Sequence, residues 1–323
     1  MSDNPSQQAV PTDRRGRADA ALVLCSLLWG ATFVIVKNSL GHVSVFLFLA
    51  VRFTLAAALM AVFRPRALRK LQKEELLAGI ALGFFMFCGY AFQTAGLLYT
   101  TPAKSGFVTG SSVVLVPILL GIFWRKHLTA WVYAGAVAAA VGLYFLTVPV
   151  EGIAHLNRGD LLTFAAAAFY AMHIILVGEY TREHGAAALS VLQVAACGLL
   201  AWLGTAIAHV SGLERAHLAF SGQLLLGIAV CAIFATGVAF TLQLWAQQYT
   251  TSSHAAIIFT LEPVFAVITS YVVIGERLAA RSLLGAAFVL AGILIAELLG
   301  PAAPESPEPV FVGRIYFEPW WWQ

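Results

Sequence analysis

Glu262 and Pro263 stand side by side in residues 252–278, an apolar stretch long enough to cross a bilayer as a helix. At about 1.5 Å per residue, Glu262 lies about 14 Å from the polar start of the stretch, near the midplane of a hydrocarbon core about 30 Å thick. A carboxylate at that depth costs about 2.5 to 3.5 kcal/mol unless it is protonated, paired or facing water. Pro263 has no N–H for the carbonyl of Phe259 and should loosen the helix there. A freed carbonyl beside an ionisable side chain is one way to build a midplane site for a substrate or a proton. The same residues also fit a neutral Glu262 bonded to a neighbouring helix, with Pro263 as a packing kink.

Other polar and aromatic side chains fall inside apolar stretches and could line a cavity with Glu262. They are Trp29, Tyr90, Gln93, Thr94, Thr109, Ser111, Ser112, Tyr170, His173, Thr236, Thr241 and Gln243. The expected substrate pathway is Trp29, Tyr90, Gln93, Thr109, Ser112, Tyr170, His173, Gln243 and Glu262, set against the common alternative of hydrogen bonds between helices. His173 either shares a proton with Glu262 or stays neutral and hydrogen-bonded in the core. Arg52 is expected to pair with a carboxylate; anion binding and snorkelling are its other possible roles. Lys104 and His254 begin two corresponding helices, as gate residues on a symmetric plan or as interfacial cations.

The elements that must hold these residues follow from composition. Of 323 residues, 60% are hydrophobic and 11% charged, far below the charge content of a soluble protein, so the chain is a polytopic membrane protein. Ten apolar segments are expected as helices: 20–38, 43–63, 76–98, 104–123, 131–148, 161–180, 187–210, 224–247, 255–274 and 283–299. Residues 1–18 read as a disordered cytoplasmic tail without a cleavable signal, and 300–323 as a Pro-rich, aromatic tail. With the N-terminus inside, eleven Lys and Arg collect on the cytoplasmic side, Arg14, Arg125 and Lys126 among them, against six outside. Both termini are therefore expected in the cytoplasm. Cys25, Cys88, Cys197 and Cys231 read as small packing residues, and neither metal nor cofactor is expected.

An offset of 150 residues lays Tyr99-Thr100-Thr101 on Tyr249-Thr250-Thr251 and keeps register through Gly135/Gly285 and Gly142/Gly292. A weaker match lays Leu27–Ala31 on Ala167–Ala171. The chain is thus an all-α integral membrane protein of two five-helix repeats, 19–150 and 151–299. An odd helix number inverts the second repeat, an architecture suited to alternating access.

Leu28-Trp29-Gly30-Ala31-Thr32-Phe33 with Lys37, then Arg52-Phe53, Leu261-Glu262-Pro263 and Gly275-Glu276-Arg277-Leu278, resemble the EamA family of the drug/metabolite transporter superfamily over about residues 19–299. The resemblance implies a ten-helix transporter with a central cavity and, as the usual assignment, efflux of an amino acid or related metabolite across the inner membrane. The chain departs from its own symmetry at Ser112-Val113, which answers Glu262-Pro263, and at Arg125-Lys126, which answers Gly275-Glu276. Two rival readings are anionic cargo such as sugar phosphates, which needs several cations among Arg52, Lys37 and Lys104, and a membrane-embedded enzyme. The enzyme reading needs more than one carboxylate at depth, and no HExxH or P-loop motif is present. No nucleic acid and no obligatory protein partner is expected; the partners are substrate, bilayer and possible protons.

Overall fold

Each apolar segment is helical, because only a helix can satisfy every backbone N–H and C=O within one lipid-exposed segment. The computed structural model describes residues 12–69, 71–124, 129–148 and 157–299; Lys70, Arg125, Lys126 and the extreme tails lie outside them. Helices α1 (Thr12–Ser39), α2 (Val45–Phe63) and α3 (Lys73–Leu97) are the first three spans. The fourth is α4 (Pro102–Gly110) with α5 (Ser112–Phe123), and the fifth is α6 (Ala130–Thr147). Then come α7 (Arg158–Glu183) and α8 (Ala186–Val210), and an eighth span made of α9 (Gly222–Val230), a π-helical segment (Cys231–Val238) and α10 (Ala239–Gln247). The ninth joins α11 (Ser252–Phe259) to α12 (Leu261–Ile274), and the tenth is α13 (Ala280–Leu294) with a π turn at Ile295–Leu299. Among the described residues, nine spans have the length and hydropathy to cross a membrane unaided, and the tenth reaches that length only with its π turn. Outward-facing side chains such as Leu199, Val210 and Val272 are more than 70% exposed, as suits contact with lipid.

Residues 12–18, expected in the tail, are the first turns of α1, where the Arg14 guanidinium sits 5.7 Å from the Tyr249 ring. The four cysteines are free; Cys25, Cys197 and Cys231 are buried and Cys88 is half-buried.

The inverted repeat has a local structural trace. Thr101 Oγ1 accepts from the Lys104 N–H at 3.4 Å and Thr251 Oγ1 accepts from the His254 N–H at 3.1 Å, so the repeated Tyr-Thr-Thr is a helix N-cap used twice. Both capped spans then break, at Ser111 and at Thr260, with the same φ of −62° and ψ of −16°.

The fifth and tenth spans cross through the paired glycines. A Cβ on Gly142 would lie 2.5 Å from Val289 N and 2.6 Å from Gly285 O; one on Gly292 would lie 2.5 Å from Gly135 O. Gly142→Val is therefore expected to destabilise the protein by about 1 to 3 kcal/mol through overpacking. Thermal unfolding in detergent would read this as a lower Tm than in Gly222→Ala, whose added methyl meets nothing within 4 Å. Equal Tm values would mean that α6 and α13 can separate at no cost.

Candidate functional site

The eighth span carries a π segment where the first and second spans meet it. Thr236 Oγ1 donates to Cys231 O at 2.8 Å, an i−5 bond that fills the widened turn. Trp29 Nε1 donates to Ala235 O at 2.9 Å, and its ring packs on Phe240 and Phe259 with centroids 5.3 and 5.2 Å away. Arg52 Nε donates to Thr236 Oγ1 at 2.9 Å. The guanidinium carbon lies 4.7 Å from the Tyr90 ring and 5.1 Å from the Phe53 ring.

Of these residues Trp29, Arg52, Tyr90, Phe240 and Phe259 line one cavity between the spans. All nine side chains expected in the pathway line it: Trp29, Tyr90, Gln93, Thr109, Ser112, Tyr170, His173, Gln243 and Glu262. Arg52, Thr32, Thr94, Phe33, Phe240 and Phe259 complete the polar and aromatic lining. Tyr170 OH donates to Gln93 Oε1 at 3.0 Å, and Gln93 Nε2 donates to Thr109 Oγ1 at 2.9 Å, so the amide is held at both ends. Gln193 Oε1 accepts from His173 Nε2 at 2.9 Å. This is the core-bonded arrangement; among the described residues no hydrogen bond joins His173 to Glu262.

Glu262 does not sit in mid-helix. The ninth span breaks at Thr260, so Glu262 occupies the first turn of α12, where a carboxylate faces the positive end of the helix dipole. Pro263 also falls in that turn, where its missing N–H costs little. The interruption lies ahead of the proline, and Ser26 Oγ donates to the carbonyl of Ile258 there at 3.2 Å. A Cβ on Gly110, beside the matching break, would lie 3.2 Å from Pro263 Cγ. The interruptions of the two halves thus pack together although only one has the Glu-Pro pair.

Lys104 and His254 stay outside the cavity lining and each meets an aspartate, at opposite ends of the bundle. Lys104 Nζ is 3.8 Å from Asp160 Oδ2, and Thr100 Oγ1 donates to Asp160 Oδ1. His254 Nε2 is 3.0 Å from Asp19 Oδ1. The fourth span is tied to the sixth at one face and the ninth to the first at the other, which is the same contact repeated by the inverted symmetry. Lys37 Nζ donates to the carbonyls of Leu97, Leu98 and Thr100, closing the end of α3.

The sequence profile of the EamA-like transporter family matches residues 16–148 and again 157–298. The chain belongs to the EamA-like transporter family. A protein named as an uncharacterized transporter from Archaeoglobus fulgidus is 34% identical over 285 residues, covering 88% of this chain and 87% of that one. The uncharacterized transporter YyaM of Bacillus subtilis is 26% identical over 288 residues, 84% of this chain and 90% of its own. The threonine/homoserine exporter RhtA of Salmonella typhimurium is 25% identical over 238 residues, 72% of this chain and 75% of its own. A solved crystal structure, 20% identical, superimposes with a TM-score of 0.65 over 88% of this chain and 98% of its own, and so shares the fold.

Within this EamA-like architecture Arg52 stands apart from the two charge pairs. Arg52 is 1% exposed, yet no carboxylate lies within ion-pair distance of it among the described residues. Thr236, Tyr90 and Phe53 take the place of the expected acidic partner, because the π segment turns a hydroxyl toward it. Asp19 and Asp160, which the sequence argument passes over, are the partners that give His254 and Lys104 their positions.

Proposed function

We propose that this protein is a secondary transporter and not an enzyme. It carries a small amphipathic metabolite, an amino acid or a relative of one, out across the inner membrane by alternating access. Both termini then lie in the cytoplasm, in keeping with the Lys and Arg distribution. The observation that carries the reading is the convergence of nine polar and aromatic side chains from six spans on one cavity between two inverted halves. The amino-acid arm draws support from the name of the relative RhtA, a threonine/homoserine exporter. Sugar phosphates fit less well: of Arg52, Lys37 and Lys104, only Arg52 lines the cavity. In the same reading the Lys104–Asp160 and His254–Asp19 pairs are the outer and inner gates, and Glu262 takes up and releases a proton or a cationic group.

Efflux from proteoliposomes tests this, with labelled amino acids, organic cations and sugar phosphates, with and without a pH gradient. Wild type should move one class selectively, and Glu262→Gln should lose about tenfold or more, the cost of one charge-assisted hydrogen bond of about 1.5 kcal/mol or more. Unchanged rate and pH response in Glu262→Gln would remove Glu262 from the mechanism. No flux of any compound would refute the transport reading.

A further inference from the structure

We infer that Arg52 and Glu262 form the two charged ends of a site for a zwitterion, Arg52 holding a carboxylate and Glu262 an ammonium group, with the aromatic side chains between them taking the rest of the molecule. The inference rests on the transport reading for its setting and goes further by assigning charge and role to each end.

Among the described residues no carboxylate answers the charge of Arg52. A guanidinium stays protonated in proteins, so burial cannot be relieved by losing the proton. An uncompensated buried charge is strongly destabilising, and Arg52 is buried with no carboxylate in ion-pair range among the described residues. The protein nevertheless holds it in place. Nε is fixed by Thr236 Oγ1, which in turn is fixed by donating to Cys231 O. The Tyr90 and Phe53 rings pack on the guanidinium, a favourable contact for a desolvated cation. No protein acceptor bonds the two terminal nitrogens among the described residues, and the side chain lines the cavity. Two parallel N–H groups on one planar edge match the two oxygens of a carboxylate.

Glu262 is the complement. It is the one acidic side chain in the lining, and no hydrogen bond or ion pair joins it to the protein among the described residues. Arg52 and Glu262 line the same cavity, with Tyr90 and Tyr170 in its lining beside them. An anion would meet Glu262 unopposed, and a cation would meet Arg52 unopposed. A zwitterion answers both, and Trp29, Phe240 and Phe259 suit an apolar body.

Ligand-induced thermal stabilisation of the purified full-length protein tests the inference independently of transport. The probes are each standard amino acid, its methyl ester, which lacks the carboxylate, and its N-acetyl derivative, which lacks the ammonium. At least one free amino acid should bind about thirtyfold more tightly than either derivative, as expected when a buried charge loses a partner worth about 2 kcal/mol. Arg52→Met should erase the preference for acid over ester while leaving ester affinity unchanged. Glu262→Gln should erase the preference for the free amine over the N-acetyl compound. Arg52→Lys, which keeps charge but not the fork, should fall between, and Thr236→Val should weaken acid binding severalfold with Arg52 intact.

Equal weakening of acid and ester by Arg52→Met would make Arg52 structural and overturn the inference. So would wild-type preference for esters, organic cations or sugar phosphates, or the absence of stabilisation by any amino acid. The wild-type comparison of acid with its derivatives decides even where a variant fails to fold. Amino-acid binding with this discrimination but without flux in liposomes would keep the site and refute the transporter.

Discussion

Gly30→Val leaves a protein that inserts and folds but carries no measurable flux. A Cβ at position 30 would lie 2.5 Å from Glu262 O, 2.7 Å from Phe265 Cβ and 3.0 Å from Ala266 N. Two of those atoms are backbone, so no change of rotamer makes room. The first span must withdraw from α12 by about 1 Å to restore van der Waals distance. That movement pulls Trp29 Nε1 from Ala235 O and Ser26 Oγ from Ile258 O, the two bonds by which α1 holds the π segment and the break beside Glu262. Overpacking of this kind costs about 1 to 3 kcal/mol, enough to lower Tm without unfolding the bundle. Flux assays beside thermal unfolding separate the two effects. Wild-type flux in Gly30→Val would mean that the contact between α1 and Glu262 does not set the geometry of the cavity.

The sequence makes the spans and the cavity lining legible for one reason: in hydrocarbon, polar side chains are rare enough that each is informative. Tyr90, Gln93, Tyr170, His173 and Gln243 stand out against apolar neighbours, and the structure brings them together. The Tyr-Thr-Thr repeat is legible because a cap is a local device, repeated where its helix is repeated. What stays hidden depends on helix geometry. The π segment contains Cys-Ala-Ile-Phe-Ala-Thr-Gly-Val, residue types that an ordinary helix would also accept, so nothing announces that Thr236 turns toward Arg52. Pro263 signals a loosened turn, and the interruption at Thr260 lies inside the Phe259–Pro263 turn whose bond the proline removes; the matching interruption at Ser111 has no proline two residues on and gives no such signal. Asp19 and Asp160 look like ordinary charges near a membrane surface. The contact of Asp160 emerges only where Gly159 and Gly96 bring α7 against α3, so that Asp160 meets Thr100, and that of Asp19 only where α1 packs on α11: a Cβ on Gly159 would lie 2.5 Å from Gly96 O.

Lys104→Ala and His254→Ala shift the exposure of the cavity in opposite directions. A cysteine at Thr32, in the cavity lining, reports access through its rate of modification by a membrane-impermeant thiol reagent added to one side of the membrane. Cys88→Ala removes the half-buried native thiol, leaving Cys25, Cys197 and Cys231 buried. Lys104→Ala should speed labelling from the face where α4 begins, the outer face in the proposed orientation; His254→Ala should speed it from the other. Each pair ties a repeated helix to its partner in the opposite half, so loss of one latch biases the bundle toward opening at that face only. Partly exposed pairs are worth about 0.2 to 1 kcal/mol, which moves a balanced population by up to about fivefold. The outer substitution should have the larger effect, because Asp160 is 2% exposed and keeps only Thr100 among the described residues, whereas Asp19 is 36% exposed and is solvated when His254 is gone. His254→Lys, which keeps an N–H donor opposite Asp19, should return labelling toward the wild-type rate. Faster labelling from the same face in both alanine variants would mean that the pairs hold the bundle together without gating it.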